Sequence, residues 1–249
     1  MVLPRGLLAL AVGVVGSATF AAAQTGSAYC DSASGICFAG YTDTTQGMTM
    51  GVVMPPISDP PSDEYIVQIV APVSDGWTGI SMGGAMTNSL LFPMWPSGSD
   101  IIVGPRWTDD YVLPTVYAGP TITLLPASSI NETHINAIFR CENCTVWEGG
   151  SFGSGDLSGT AVIAYVSSST TGPADPEDVA STFNEHDFFG FFGMDLSGAH
   201  SDDYTSYLGS GASSSSTAAS STASSTPVSS STSSAPAAGQ TVGPVRISP

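Results

Sequence analysis

Lysine is absent from this 249-residue sequence, and arginine occurs only four times. All 21 acidic residues fall between positions 24 and 208, where only Arg106 and Arg140 oppose them, so this part carries a net charge of about −19. Such a surface repels phosphate backbones, which argues against nucleic-acid partners. The missing lysine also excludes Schiff-base chemistry and the phosphate-binding loop that ends in Gly-Lys-Ser/Thr.

Long hydrophobic runs are also missing, since no stretch approaches the ~20 apolar residues that a bilayer-spanning helix needs. Residues 1–23 have the pattern of a secretory signal peptide: Arg5 gives a positive start, 7–15 are apolar, and three alanines precede Gln24. A membrane anchor is the alternative, but interspersed Gly, Ser and Thr dilute the apolar run. We therefore expect a cleaved signal, no membrane span and a secreted, extracellular protein.

The segment after position 208 has no acidic residue and consists mainly of Ser, Thr, Ala and Pro. Residues 209–249 are too poor in apolar side chains to offset their ordering entropy, which predicts a disordered tail or linker that carries O-linked sugars. The chain lacks a hydrophobic C-terminal stretch, so we expect no lipid-anchor signal. The 185 residues from 24 to 208 suffice for one domain with a substantial core, which we expect to be monomeric.

Cysteine is scarce, with only four residues. An even number in a secreted chain predicts two disulfides, and the simplest pairing is local: Cys30–Cys37 and Cys141–Cys144. A redox-active Cys141–Cys144 pair is the alternative, but no βαβ pattern surrounds it and Glu142 disfavours a thiolate. A zinc site formed by all four cysteines has even less support, because only one pair of cysteines is closely spaced.

Two sequons mark expected surface loops. They are Asn131-Glu132-Thr133 and Asn143-Cys144-Thr145. In a secreted protein each is an acceptor for N-linked glycosylation, so Asn131 and Asn143 are predicted glycan sites.

Helical periodicity is scarce too, and only residues 175–184 and 200–208 have the pattern of a helical turn or two. Short runs rich in Val, Ile, Tyr and Phe instead alternate with Gly, Pro, Asp and Ser, which is typical of an antiparallel all-β domain. These runs are residues 48–54, 65–71, 77–82, 89–95, 101–107, 121–125, 135–141 and 161–167. The sequence predicts an immunoglobulin-like β-sandwich of two packed sheets.

The sequence contains only three histidines, and two of them, His186 and His200, enclose a phenylalanine-rich segment, FFGFF. A histidine beside such a segment offers one donor nitrogen in an apolar wall, as a buried haem or metal requires. The alternative is plain core packing, since most aromatic clusters pack a core and most single histidines are satisfied polar groups. The haem interpretation therefore needs a second ligand.

Met86 is the candidate for that ligand. It follows two glycines in GWTGISMGGAM, and adjacent glycines allow a sharp turn or a close approach to a flat group. A methionine considered alone more often fills a core. Its thioether becomes informative only when a histidine faces it.

Four segments together resemble a known family. GWTGISMGGAMTNSLL, RWTDDYVLPTVYAG, INETHINAIFRCENCTVW and STFNEHDFFGFFGMDLSGAHSDDY are similar, in this order, to the N-terminal cytochrome domain of fungal cellobiose dehydrogenase, a DOMON-like iron-reductase type domain. The likeness covers about residues 29–208. It implies a β-sandwich that holds one haem b without a covalent bond, with the iron between a methionine and a histidine.

The family's ligand motifs fall on Met86 and His186, and its tyrosine near the haem edge, which would bond a propionate, falls on Tyr111. The resemblance implies the same two disulfides, while His134 and His200 match the family without being ligands.

The implied ligands, a thioether and an imidazole, fill both axial positions of the iron, which favours electron transfer over peroxidase or oxygenase chemistry. The thioether, together with burial against whichever of Trp77, Phe188 and Phe191 face the iron, favours the ferrous state. No Cys-x-x-Cys-His motif occurs, so no covalent attachment is expected.

The resemblance implies a secreted electron carrier in fungal lignocellulose degradation. It would take electrons from a flavin dehydrogenase or another reductant and pass them to a copper polysaccharide monooxygenase, ferric iron or a quinone. No glycine-rich dinucleotide fingerprint follows the domain, so sugar oxidation by a flavin is not implied for this chain, and no catalytic residue is assigned. The alternatives are a haem-free carbohydrate-binding or cell-wall β-sandwich, and a truncated cellobiose dehydrogenase.

Overall fold

The computed structural model describes residues 24–152 and 159–209, in which nearly all regular structure is β-sheet. The predicted signal peptide, and the predicted tail apart from Gly209, lie outside the described residues. The strands are β1 (Ser27–Cys30), β2 (Cys37–Asp43), β3 (Met48–Val53), β4 (Tyr65–Pro72), β5 (Trp77–Ser81), β6 (Leu91–Ser97), β7 (Asp100–Val103), β8 (Arg106–Trp107), β9 (Thr115–Val116), β10 (Thr121–Leu124), β11 (Ser129–Ile130), β12 (His134–Glu142), β13 (Val146–Trp147), β14 (Gly150–Ser151), β15 (Thr160–Ser168) and β16 (Phe188–Asp195). A 3-10 turn (Ser197–Ala199) and the short helix α1 (Tyr204–Tyr207) follow.

Two antiparallel sheets form the domain. The first has the strand order β1-β2-β3-β4-β12-β10, with β11 also paired to β12. The second has the order β16-β15-β5-β6-β8-β9, with β7 also paired to β6. The strands β13 and β14 make a separate hairpin. The sequence-based prediction of two packed antiparallel sheets is confirmed.

The main core lies between the sheets and follows the two-residue alternation of the strands. In β4, Tyr65, Val67 and Ile69 are fully buried in this core, whereas Ile66 belongs to a second cluster that includes Tyr204 of α1. Both faces of β4 are therefore covered, which explains why this strand is apolar at nearly every position. Each fully buried aliphatic side chain contributes about 1.5–3 kcal/mol.

A polar bridge crosses this core. The Tyr165 hydroxyl on β15 donates to Asp43 Oδ2 at the end of β2, with 2.7 Å between the oxygens. Both residues are buried. Burial alone would raise the pKa of Asp43, but the hydrogen bonds from Tyr165 and from the Gln46 and Thr45 amides outweigh it and hold that pKa below its ordinary value. The ionised carboxylate thus links the two sheets.

Both expected disulfides form. Cys30–Cys37 joins the paired strands β1 and β2, and Cys141–Cys144 closes the end of β12. Asn131 and Asn143 are exposed in loops, as expected for sequons, and their glycosylation stays a prediction.

Two long strands were not predicted from the sequence, β2 and β16, and one predicted helical segment is absent. Residues 175–184 form two successive turns instead, because Pro176, Val179 and Ser181 give their carbonyls to side chains of the second sheet. The other helical segment is confirmed as α1. Within the described ranges, no helix has the length and hydrophobicity to cross a bilayer.

Candidate functional site

A cavity of about 620 Å³ lies on the outer face of the second sheet, away from the core between the sheets. Its floor consists of side chains from β5, β6, β15 and β16 that point away from that core. Three loops close it: 84–86, 111–114 and 183–186. The floor and walls are mainly apolar, with these side chains outside the core: Trp77, Leu91, Pro93, Ala164, Val166, Phe183, Phe189 and Phe191.

The FFGFF segment divides its side chains between two faces, because it forms β16 rather than a single wall. Phe189 and Phe191 line the cavity. Phe188 and Phe192 point to the other face, where each packs about 6 Å from the Tyr165 ring. Of the residues considered from the sequence as haem contacts, Trp77 and Phe191 therefore line the cavity and Phe188 does not.

Met86 reaches the cavity through a tight loop after β5. Gly84 adopts a positive φ of 70°, and a Cβ there would lie 2.8 Å from the Val162 carbonyl oxygen, so the loop runs directly against β15. The Ser81 hydroxyl donates to the Ala85 carbonyl at 2.6 Å and fixes the turn. Met86 is half-buried and lines the cavity.

His186 reaches the same cavity from the segment before β16. Its half-buried ring lies edge-on to Trp77 and Phe189, with ring centroids 6.4 and 6.1 Å apart. The Trp77 indole N–H also donates to the Asn184 carbonyl at 3.0 Å, two residues before the histidine. Trp77 therefore packs against the imidazole and holds the backbone that carries it.

The topology brings Met86 and His186 to the cavity from opposite ends of the strands. Both β5 and β16 are antiparallel to β15, so they run in the same direction. Met86 follows the end of β5, which pairs with Ala164, whereas His186 precedes the start of β16, which pairs with Ser167. Residues a hundred positions apart thus share one cavity.

Tyr111, the third predicted site residue, lies at the cavity rim and is 79% exposed. The other histidines lie elsewhere. His200 lines a smaller cavity of about 270 Å³, with its Nδ1 2.5 Å from the Pro55 carbonyl oxygen, and His134 contacts the Thr133 hydroxyl on the surface. Of the three histidines, only His186 lines the larger cavity.

The sequence analysis missed two residues of this site, Arg106 and Phe183. Arg106 is 3% exposed, lines the cavity and has its guanidinium carbon 5.4 Å from the centre of the Phe183 ring. A signal was present, because Arg106 is one of two cations in 185 residues and begins the RWTDDY segment. Phe183 gave no comparable signal, since one phenylalanine in a loop has no periodicity.

The cavity concentrates exposed apolar surface. Five of the 11 large hydrophobic residues that are exposed in the described ranges line it: Tyr111, Val112, Leu113, Phe189 and Phe191. Exposed apolar patches of this kind mark ligand or partner sites.

The volume of the cavity is that of a small-molecule or cofactor site. Among the described residues that line it, only Met86 and His186 carry side chains that commonly ligate haem iron, a thioether and an imidazole. The residues present therefore fit a large, flat, apolar group with a metal at its centre.

Comparison with known proteins identifies the family of this chain. Residues 29–206 match the family model described as the cytochrome domain of cellobiose dehydrogenase. The chain is 34% identical over 202 residues to a pyrroloquinoline quinone-dependent pyranose dehydrogenase of Coprinopsis cinerea. That match covers 81% of this chain and 27% of the relative, so the chain spans about a quarter of the length of that protein.

Two solved structures share the fold. The cytochrome b domain of the Coprinopsis cinerea pyranose dehydrogenase aligns with a TM-score of 0.69 and 32% identity, covering 74% of this chain and 94% of that one. The cytochrome domain of Myriococcum thermophilum cellobiose dehydrogenase aligns with a TM-score of 0.65 and 33% identity, covering 76% and 97%. The family match, the sequence identity and the fold lead to one conclusion: this chain belongs to the family of cytochrome domains of cellobiose dehydrogenase.

Proposed function

We propose that this protein is a secreted electron carrier that binds one haem b non-covalently in the cavity on the second sheet, with Met86 and His186 as the axial ligands. One observation carries the proposal. The methionine and the histidine singled out in the sequence, which lie a hundred positions apart, line the same apolar cavity, and the other two histidines do not.

The side chains around the cavity have distinct tasks. Met86 and His186 would hold the iron, and an iron that binds both of these donors would have no position left for oxygen or peroxide. Trp77 and Phe189 pack edge-on against the imidazole and orient it. Tyr111 at the rim would donate a hydrogen bond from its hydroxyl to a propionate of the bound haem. The bound group supplies one-electron oxidation and reduction at a potential that its axial ligands set.

The electron donor that we propose is a sugar dehydrogenase domain. Cytochrome domains similar to this chain occur in a cellobiose dehydrogenase and a pyranose dehydrogenase, and the second is named as pyrroloquinoline quinone-dependent. The donor is therefore a flavin or a quinone-cofactor dehydrogenase. The acceptors that we propose are copper polysaccharide monooxygenases, ferric iron and quinones, which all accept single electrons.

The experiment that tests the ligands compares visible spectra of the secreted, haem-supplied protein and its variants. Met86→Ala and His186→Ala are expected to lose haem or to become five-coordinate, because each removes one axial donor. The matched control is His200→Ala, which removes a histidine outside the cavity and is expected to keep the six-coordinate spectrum of the wild type.

Two results would contradict the proposal. A wild-type protein that stays colourless with excess haem would favour a haem-free carbohydrate-binding module. If His200→Ala lost haem while His186→Ala retained it, the assignment of His186 as the iron ligand would be wrong and His200 would be the ligand.

A further inference from the structure

The wall of the cavity contains a buried charge that haem ligation does not explain. Arg106 is 3% exposed, and in the described part of the chain its guanidinium forms no salt bridge. Burial lowers its pKa, an effect that the exposed carboxylate of Asp178 partly opposes, yet arginine stays protonated in proteins. Removing a charge from water is costly unless the protein returns the lost hydrogen bonds.

The guanidinium recovers three of these bonds from two loops, while its buried Nε has no hydrogen-bond partner among the described residues. Its Nη1 donates to the Pro114 carbonyl at 2.9 Å, and its Nη2 donates to the Val179 and Ser181 carbonyls at 2.5 and 2.9 Å. Pro114 ends the loop of residues 109–114, which carries Tyr111, and the other two carbonyls belong to residues 169–187, which we call the strap. One side chain thus holds both walls of the cavity. The planar fork of arginine suits three such acceptors, and the ammonium of lysine does not.

The contacts continue from Arg106 to the axial histidine. The Phe183 ring lies beside the guanidinium and 4.5 Å, centre to centre, from the Trp77 ring. Trp77 in turn donates to the Asn184 carbonyl and packs edge-on against His186. A shift of the strap at Ser181 would therefore be transmitted to the imidazole within five residues.

The charge itself also acts on the site. A positive charge in a wall of low dielectric constant interacts strongly with a redox group in the cavity. It stabilises the reduced form of that group, which carries one more electron, relative to the oxidised form. We propose that Arg106 is a positioning residue that holds the strap and the 109–114 loop in place for His186, and that its charge raises the reduction potential of the site. This inference rests on the proposed haem function.

The test compares three variants in the full chain. Arg106→Met removes the charge and the hydrogen bonds, Arg106→Lys keeps only the charge, and Arg140→Met removes the other folded-domain arginine, which forms ion pairs with Glu64 and Glu142 away from the cavity. The measurements are the midpoint potential by spectroelectrochemical titration, the haem dissociation constant, and hydrogen exchange of the haem-free protein.

Arg106→Met is expected to lower the midpoint potential, to weaken haem binding by about 10- to 100-fold as outer-shell changes do, and to speed exchange in the strap and in residues 109–114. Arg106→Lys is expected to keep the potential near the wild-type value but to show the same faster exchange. Arg140→Met should leave all three unchanged.

Unchanged potential and exchange in Arg106→Met would overturn the inference, even though haem binding by the wild type would still support the proposed function. If Arg106→Met does not fold, exchange in Arg106→Lys decides the positioning role, and normal protection there overturns it. If the wild-type protein had no affinity for haem, the proposed function would be wrong. The exchange data would still test whether Arg106 holds the strap and residues 109–114 in place.

Discussion

At the scale of single residues, the softness of the sulfur at position 86 decides the proposed redox behaviour. Replacing Met86 by His exchanges a thioether for a second imidazole. Since a thioether favours ferrous iron, we predict a lower midpoint potential for Met86→His, with a bis-histidine spectrum, in a spectroelectrochemical titration.

Met82 provides a matched control for this prediction, because it lies in the same GISMGGAM segment but is buried in the core between the sheets. Met82→Leu is expected to leave the potential unchanged. If Met86→His and Met82→Leu gave the same potential as the wild type, position 86 would not ligate the iron.

The Tyr165–Asp43 bridge predicts an acid-dependent stability. Because the native Asp43 pKa lies below the ordinary carboxyl value of 3.8, its stabilisation is present above that pH and is lost as the pH falls through the lower native pKa. We predict that Tyr165→Phe lowers the free energy of unfolding by about 1–3 kcal/mol at pH 7, and that the loss shrinks in acid. Urea unfolding from pH 7 to pH 3 measures both.

Tyr65→Phe is the control for that experiment. The Tyr65 hydroxyl is also buried, but it donates to the Cys144 carbonyl at 3.1 Å, an acceptor that does not titrate. Its loss should be the same at every pH. A Tyr165→Phe loss that is equally constant would show that Asp43 does not carry the acid dependence.

At the scale of elements, β16 serves the core with one face and the cavity with the other. Its Gly190 pairs with Tyr165 on β15, and the Tyr165 ring occupies the space that a Cβ on Gly190 would need. A larger residue would push this ring out of the core. The glycine therefore sits between two phenylalanine pairs for packing reasons rather than for flexibility.

We predict that Gly190→Ala lowers the free energy of unfolding by about 1–3 kcal/mol, as overpacking typically does. Thermal or urea unfolding measures this. Gly193→Ala on the same strand is the control, because its added Cβ would lie 3.5 Å from the Thr160 side chain, an ordinary contact. Equal stability of the two variants would refute the packing explanation.

At the scale of the whole molecule, the shortage of basic residues gives the folded part a large negative charge, which affects its association with charged partners. With about −19 charges on the folded part, it attracts cationic surfaces over several ångströms, and salt screens this attraction. The same charge repels acidic partners, so complementary docking faces are needed for fast association.

We predict that the reduced protein transfers electrons to a cationic acceptor, such as a basic cytochrome c, at a rate that falls steeply from 10 to 500 mM salt. Stopped-flow absorbance measures the second-order rate constant. An uncharged quinone is the matched acceptor, and its rate should change little. Equal salt dependence for both acceptors would mean that charge does not guide docking.

Much of this architecture was accessible from local patterns. Each of the eight predicted strand segments contains or overlaps a strand, since alternating apolar residues need only their neighbours to form a ladder. Strand β16 escaped because Gly190 interrupts it and its phenylalanines are apolar on both faces. The helical prediction for residues 175–184 failed because tertiary donors, Trp95 and Arg106, take carbonyls from this segment.

The sequence by itself determined the β-sandwich, both disulfides, the acidic surface and the identity of Met86 and His186 as candidates, because composition, periodicity and motif are local properties. Only the tertiary structure decided that the cavity lies outside the sandwich, that Phe189 rather than Phe188 lines it, and that Arg106 joins its two walls. These facts depend on strand order and register, which bring distant residues together through packing that no single segment encodes.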